Sequence, residues 1–185
     1  MGANTSNAIF YLVSTLFDIY LWVVMLRVIL QAVRADFYNP ISQLIWQLTQ
    51  PILKPMQTVL PKVRQWDLAA ITLLALVAVI YIHVASAILG YGVGLASSVW
   101  YAALKLVVLA LNLYTFALFV QAILSWVGPG VSNPAGSILW SMNEPLLRPV
   151  RRVIPPMSGL DLSPLVLILV LQFLNLLVPL PGIFR

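Results

Sequence analysis

Four stretches of this chain are too apolar to be left in water, and that confines the fold before any other signal is read. A helix needs about 20 apolar residues to cross the hydrocarbon core of a bilayer, at a rise of about 1.5 Å per residue. The runs at about 8–33, 68–90 and 98–127 meet that length, and a fourth at 162–178 ends at Pro179 and Pro181. The remainder of the chain does not offset them. Only 8% of the 185 residues are charged and 62% are hydrophobic, whereas a soluble domain carries roughly 25% charged residues. Bilayer is the solvent that fits, and the expected class is an all-α integral membrane protein with four transmembrane helices.

The formal charge is +5, a balance that attracts nucleic acid, acidic partners or an anionic membrane surface. Here the basic residues flank the apolar runs, so the expected partners are the bilayer and its anionic headgroups, with no direct nucleic-acid contact. There is no cysteine and a single histidine, which removes disulfides, thiolate or polyhistidine metal sites and a cysteine nucleophile. No glycine-rich phosphate loop is present. A serine triad would have to combine His83 with Ser86 or Ser125 and Asp18, and nothing in that spacing supports one. No catalytic residue, cofactor or metal is expected, and the chain reads as a non-enzyme.

Two segments between the apolar runs, 40–60 and 134–154, mix apolar and polar residues and are broken by prolines. In the first, Ile41, Leu44, Ile45, Leu48 and Ile52 recur at helical spacing with Ser42, Gln43, Gln47 and Gln50 between them. That pattern predicts an amphipathic helix lying in the interface. Asn39-Pro40 and Asn133-Pro134 supply a side-chain cap and a preset first helical residue. Pro55 and Pro149 each predict a kink or stop nearby.

The two segments are one pattern written twice. A shift of 94 residues pairs Asn39-Pro40 with Asn133-Pro134, Trp46 with Trp140, Pro51 with Pro145, Lys54-Pro55 with Arg148-Pro149, and Asp67-Leu68 with Asp161-Leu162. Ten of the thirty positions from Asn39 to Leu68 are identical, and the matched prolines mark a tandem repeat. The expected organisation is two helix–amphipathic segment–helix repeats at 8–94 and 98–180. The first has spans at about 8–33 and 68–90 and the second at about 98–127 and 162–178. Arg34, Lys54, Lys62 and Arg64 lie in one connecting segment and Arg148, Arg151 and Arg152 in the other, while the link between repeats carries no charge. By the positive-inside rule both segments are cytoplasmic and both termini lie outside the cytoplasm.

The strings Asp-Phe-Tyr-Asn-Pro at 36–40, Gln-Pro-Ile-Leu-Lys-Pro at 50–55, Glu-Pro-Leu-Leu-Arg-Pro-Val-Arg-Arg-Val-Ile-Pro at 144–155 and Gly-Leu-Asp-Leu-Ser-Pro at 159–164 resemble the YggT family of bacterial membrane proteins. The resemblance covers nearly the whole chain. It implies a multi-pass protein of the bacterial inner membrane with no established enzymatic activity. It also implies a link to osmotic-shock tolerance and ion homeostasis and, through plastid relatives, to cytochrome complex assembly and nucleoid or division organisation. It brings no catalytic residues with it.

Within the spans, ionisable and amide groups are expensive and normally face protein or water with a partner. Counting helical rise from the cytoplasmic edge places Asp18, His83, Asn112 and Asn175 in one layer, one from each span, with Lys105 within reach of Asp18. These five form the candidate intramembrane polar cluster. It reads either as glue between helices or as an ion or proton path. Arg27 and its repeat equivalent Gln121 form a lower pair. Asp67 and Asp161 are expected to cap the spans that follow them. The repeated Pro-x-x-[Lys/Arg]-Pro motif, with Lys54, Arg148, Arg151 and Arg152, either ends an interfacial helix or contacts anionic lipid or a partner, and the two readings are compatible. Ser86, Gly90 and Gly94 recur every four residues and read as a close helix contact or as the turn itself. The leading functional reading is osmotic-stress or ion homeostasis, or a membrane scaffold. The alternatives are a small channel or transporter formed by an oligomer, and an assembly factor for a membrane complex.

Overall fold

A computed structural model describes residues 3–127, 133–155 and 161–185, with backbone only at residue 3 and at 125–127. Ser125 is therefore not described at the level of its side chain, nor are Gly159 and Leu160 of the family-like string at 159–164. The chain runs α1 (Ala3–Ala32), α2 (Pro40–Met56), β1 (Lys62–Val63), β2 (Trp66–Asp67), α3 (Leu68–Ile88), α4 (Leu95–Val127), α5 (Pro134–Val153) and α6 (Ser163–Leu177), and ends in a 3-10 turn at Gly182–Phe184. The fold is all-helical apart from the two-residue ladder pairing Lys62 with Asp67 and Val63 with Trp66. That hairpin was not expected from the sequence. It closes through Arg64 at φ 55°, a left-handed conformation that L residues adopt at a cost.

Three described helices are long and apolar enough to cross a membrane: Asn4–Ala32, Leu68–Ile88 and Leu95–Leu124. The fourth expected span is shorter. Helix α6 has 15 residues, about 22 Å of rise against a hydrocarbon core of about 30 Å. By contrast α4, at 33 residues, extends about 50 Å and begins three residues before the run at 98–127.

Helix α1 packs on α3, α3 on α4, and α4 on α6, while α2 lies against α1 and α5 against α4 and α6. The main core draws Leu21 and Val24 of α1, Leu53 of α2, Ala78, Tyr81 and Ile82 of α3, and Leu113 of α4 into one cluster. A smaller one joins Leu118, Leu147, Leu167 and Leu171 across α4, α5 and α6. Helix α3 is the most enclosed span, because Ala69, Ala70, Ala78, Ala85 and Ser86 on its buried face let neighbouring backbones approach. Ser86 hydrogen-bonds back to the Ile82 and His83 carbonyls at 2.7 and 3.0 Å. Gly90 and Gly94 have open space where a Cβ would sit, so they belong to the turn and not to a helix contact. Gly90, at φ 76°, ends α3 in a Schellman cap with Tyr91 N–H donating to Ser86 at 2.8 Å and Gly90 N–H to Ala87 at 3.2 Å.

The amphipathic segments are helices, and of their later prolines Pro55 stands at the expected stop while Pro149 does not end its helix. Helix α2 runs through Pro51 and ends one residue after Pro55, whereas α5 runs through Pro145 and continues a full turn past Pro149. Asn39 and Asn133 cap them by accepting from Ile41 and Ala135 N–H, each at 2.9 Å. Helix α2 has three faces. Ser42, Ile45, Thr49 and Leu53 point inward, Leu44, Leu48 and Ile52 point outward, and Gln43, Gln47, Gln50 and Lys54 lie between. Its apolar stripe is thus split, half against protein and half toward the surroundings. Residues such as Leu16, Leu76, Phe116, Leu169 and Phe173 are also bare on the outside of the spans. An apolar surface of that extent requires lipid to cover it.

Leu53→Ala and Leu48→Ala separate these faces. Leu53 is fully buried, so its truncation is expected to cost about 2–5 kcal/mol of unfolding free energy in detergent. Leu48→Ala is expected to stay within about 0.5 kcal/mol. Equal losses would reverse the assignment of α2's faces.

Candidate functional site

The polar groups collect in two layers. The lower one lies where α2 and α5 meet the apolar helices and was not foreseen as a unit. At the α1–α2–α3 junction, Arg27 donates to the Thr49 hydroxyl at 2.6 Å and to Gln50 Oε1 at 2.9 Å, and stands 3.7 Å from the Asp67 carboxylate. Gln57 donates to the same carboxylate at 2.6 Å and accepts from Gln50 at 3.3 Å. Asp67 is also the N-cap of α3, accepting from Ala70 N–H at 3.3 Å. One carboxylate, 2% exposed, therefore ties three helices together.

The same contacts recur 94 residues on with different chemistry. Asn143 donates to Gln121 Oε1 at 2.7 Å where Arg27 met Thr49. Arg151 donates to Asp161 at 2.9 Å where Gln57 met Asp67, and to Glu144 at 2.7 Å where Gln50 met Gln57. Arg148 adds a 3.1 Å contact to Glu144. The cation has moved from α1 to α5, and each network stays neutral. Asp161 stands one residue before the helix cap proper, Leu162, and accepts from Ser163 N–H at 2.9 Å. Burial acts to raise its pKa, but the Ser163 hydrogen bonds and then Arg151 outweigh it and hold the carboxyl below its ordinary value. Burial likewise acts to lower Arg151, and the bonds to Asp161 and Glu144 reverse that. The register could have exposed this layer: Thr49/Asn143, Gln50/Glu144 and Gln57/Arg151 are polar at matched positions.

The upper layer contains two separate pairs. Lys105 Nζ is 2.6 Å from Asp18 Oδ1, an ionic contact off the angle of a good hydrogen bond, and lies over the Tyr81 ring at 4.6 Å. Asn175 donates to Asn112 at 2.5 Å and accepts from Arg185 at 2.6 Å. Arg185 also donates to the Asn175 and Val178 carbonyls at 3.1 and 2.8 Å, closing the free end of α6. Among the described residues no hydrogen bond links the two pairs, so the five expected residues do not form one cluster. His83 is not among them. It is exposed on the outer side of α3, because Tyr81, Ile82, Ala85 and Ser86 occupy the buried face.

Of the four residues expected at lipid or a partner, Lys54, Arg148 and Arg152 are exposed. Arg151 is half-buried and committed to its two carboxylates. Among the described residues no group of histidine and carboxylate side chains is placed to hold a metal.

Two measurements follow. Asp18→Asn is expected to destabilise by about 3–5 kcal/mol, because it strands Lys105, which is 3% exposed. Lys105→Met is expected to cost less, since the Asp18 side chain is 32% exposed, and the double change less than Asp18→Asn alone. Harmless single changes in detergent unfolding would exclude the pair as a fastening. For Asp161, a folded pKa held below its ordinary carboxyl value means that its contribution is complete above that ordinary value and is lost as pH falls through the folded one. Asp161→Asn is expected to lower the unfolding midpoint at neutral pH and to flatten the acid limb, and an unchanged acid limb would contradict it.

The sequence model of the CCB3/YggT family matches this chain twice, at residues 6–88 and 100–181. An uncharacterized Pseudomonas aeruginosa protein is 40% identical over 181 residues, covering 96% of this chain and 90% of its own. The uncharacterized Escherichia coli K12 protein YggT is 37% identical over 171 residues, covering 92% and 88%. The chloroplast YlmG homolog protein 2 of Arabidopsis thaliana is 38% identical over 65 residues, which is 34% of this chain and 24% of that protein. No solved structure matches. With two family matches that together span nearly the whole chain and relatives above one-third identity over most of their length, this membrane protein belongs to the CCB3/YggT family.

Proposed function

We propose that this chain is a non-enzymatic, multi-pass scaffold of the bacterial inner membrane, acting in osmotic-stress or ion homeostasis. In this reading it is a tandem duplication in which α1, α3, α4 and α6 are the four spans and α2 and α5 lie on the cytoplasmic face. Both termini are then outside the cytoplasm. The supporting observation is how its carboxylates are used. All five are engaged: Asp18 with Lys105, Asp67 with Arg27, Glu144 and Asp161 with Arg151, and Asp36 with the Tyr38 N–H at 2.9 Å. A general base needs a carboxylate or imidazole poised near substrate, whereas Asp18, Asp67 and Asp161 join one helix to another and Glu144 and Asp36 bond within their own segments. The exposed Lys54, Arg148 and Arg152 remain on the side that anionic lipid would attract, at about 1 kcal/mol for each cation near the surface.

A second reading, an ion pathway built by several copies, draws on Asp18, whose side chain is 32% exposed at membrane depth. The two readings separate in a deletion strain under osmotic shock. On the scaffold reading, replacing Lys54, Arg148 and Arg152 by Gln loses protection, and the Asp18→Asn/Lys105→Met double variant retains it. The pathway reading expects the reverse, together with ion flux in proteoliposomes. Topology is tested separately. A reporter active only in the cytoplasm is expected to be silent when fused after Arg185, and cysteines at Gln47 and Ser141 are expected to label from the cytoplasmic side. Activity of the reporter or labelling from outside would overturn the orientation.

A further inference from the structure

A half-enclosed cavity of about 270 Å³ opens where the end of α1, the first turns of α2 and the hairpin meet. Its polar lining is Arg27, Gln31, Arg34, Ser42 and Lys62, and it contains no carboxylate. Arg27 shares its charge with Asp67. Arg34 and Lys62 make no ion pair among the described residues, in which all five acids of the chain are present and engaged elsewhere. Two uncompensated cations therefore face one small space. Ser42, 9% exposed, lines the same space, and its buried hydroxyl has no hydrogen-bond partner, a cost that a native site normally avoids by binding something. Phe37 and Trp46, packed edge to face at 6.1 Å, form an aromatic rim of the type found at membrane interfaces.

The repeat is an internal control. At the 94-residue shift the apolar wall is kept, with Leu30 matched by Leu124, Ile45 by Leu139 and Trp46 by Trp140. The polar floor is not: Arg27, Arg34, Ser42 and Lys62 correspond to Gln121, Gly128, Gly136 and Pro156. Arg34 and Lys62 thus have no charged counterpart in the sequence of the other repeat. Arg34 also ends α1 at φ 55°, with Arg34 N–H donating to Gln31 at 3.2 Å and Ala35 N–H to Leu30 at 2.9 Å. Glycine is the usual residue at that point of such a cap, so the local backbone does not account for an arginine there.

We propose that this cavity is a binding site for one phosphate group of headgroup size, with Arg34 and Lys62 supplying the charge and Ser42 a hydrogen bond. A guanidinium and a hydroxyl suit phosphate oxygens. The volume equals roughly nine waters, room for a headgroup and not for acyl chains. The aromatic rim favours a phosphate carried by lipid. The lipid source rests on the membrane reading above, while a free phosphate would use the same chemistry without it.

The test uses the full chain. Wild type purified into phosphatidylglycerol-containing nanodiscs is expected to retain one tightly held phosphatidylglycerol by native mass spectrometry. The Arg34→Gly/Lys62→Gln variant is expected to bind it at least tenfold more weakly and Ser42→Ala several-fold more weakly. Because glycine accepts φ 55° readily, Arg34→Gly is expected to unfold no lower than wild type, which separates lost binding from lost fold. Inorganic phosphate titrated in detergent forms the second arm. If it stabilises wild type but not the Arg34→Gly/Lys62→Gln variant, and displaces the lipid, the site takes free phosphate. If it does neither while the lipid stays bound, the headgroup is the source. Failure of the chain to enter nanodiscs would strike the membrane reading and leave the detergent arm readable. Retention of lipid or phosphate that is indifferent to Arg34, Ser42 and Lys62 would overturn the proposal.

Discussion

A polar group that leaves water has to take its partner with it, and the Asp67 carboxylate is where this chain meets that demand most fully. It caps α3, accepts from Gln57 of α2 and faces Arg27 of α1. Removing any one of these partners would leave a nearly buried charge under-satisfied, at a cost larger than one surface ion pair ever contributes. The placement of α2 follows from it. A short helix with a modest apolar face would slide or detach if only hydrophobic contact held it to lipid-exposed spans. The Arg27, Thr49 and Gln57 bonds fix its register and rotation, and Asp161 with Arg151 and Gln121 with Asn143 do the same for α5.

That fixation explains why α2 has three faces where a simple amphipathic helix has two. Its inner stripe includes Thr49 because that position meets Arg27, and Leu44, Leu48 and Ile52 turn outward. In water such an outer surface would aggregate. On the membrane reading proposed above, that surface would rest against lipid, with Gln47 and Lys54 beside it. The spans obey the same rule with fewer polar groups, Lys105 meeting Asp18 and Tyr81, and Asn112 meeting Asn175.

The two halves keep geometry and exchange chemistry. A span cation with neutral partners on the interfacial helix is replaced, 94 residues on, by a neutral span residue with an interfacial cation between two acids. Either arrangement neutralises the aspartate before the next helix, so the contact pattern can persist while its members differ. The same freedom lets one copy collect cations around a cavity at positions that read Gln121, Gly128, Gly136 and Pro156 in the sequence of the other. Divergence around a common contact pattern is how a duplicated unit can acquire a site without losing its packing.

Sequence alone determined what is local or countable. Apolar run lengths marked the helices, Asn39-Pro40 and Asn133-Pro134 their caps, and the 94-residue register the recurrence. Depth along a span was countable too, which is why Asp18 and Lys105 could be set at reach of each other. Rotation was not countable. A span that is apolar all round carries no sign of which face turns inward, so only the packing of α3 decided that Tyr81 and Ala85 go in and His83 goes out. Only packing showed that Asp67 and Asp161 also bind other helices, Asp67 through Arg27 of α1 and Asp161 through Arg151 of α5. The hairpin at Lys62–Val63 and Trp66–Asp67 was equally hidden, being too short to carry a strand pattern. Helix existence is written in nearest-neighbour chemistry, whereas the identity of a buried face depends on which other helix arrives to cover it.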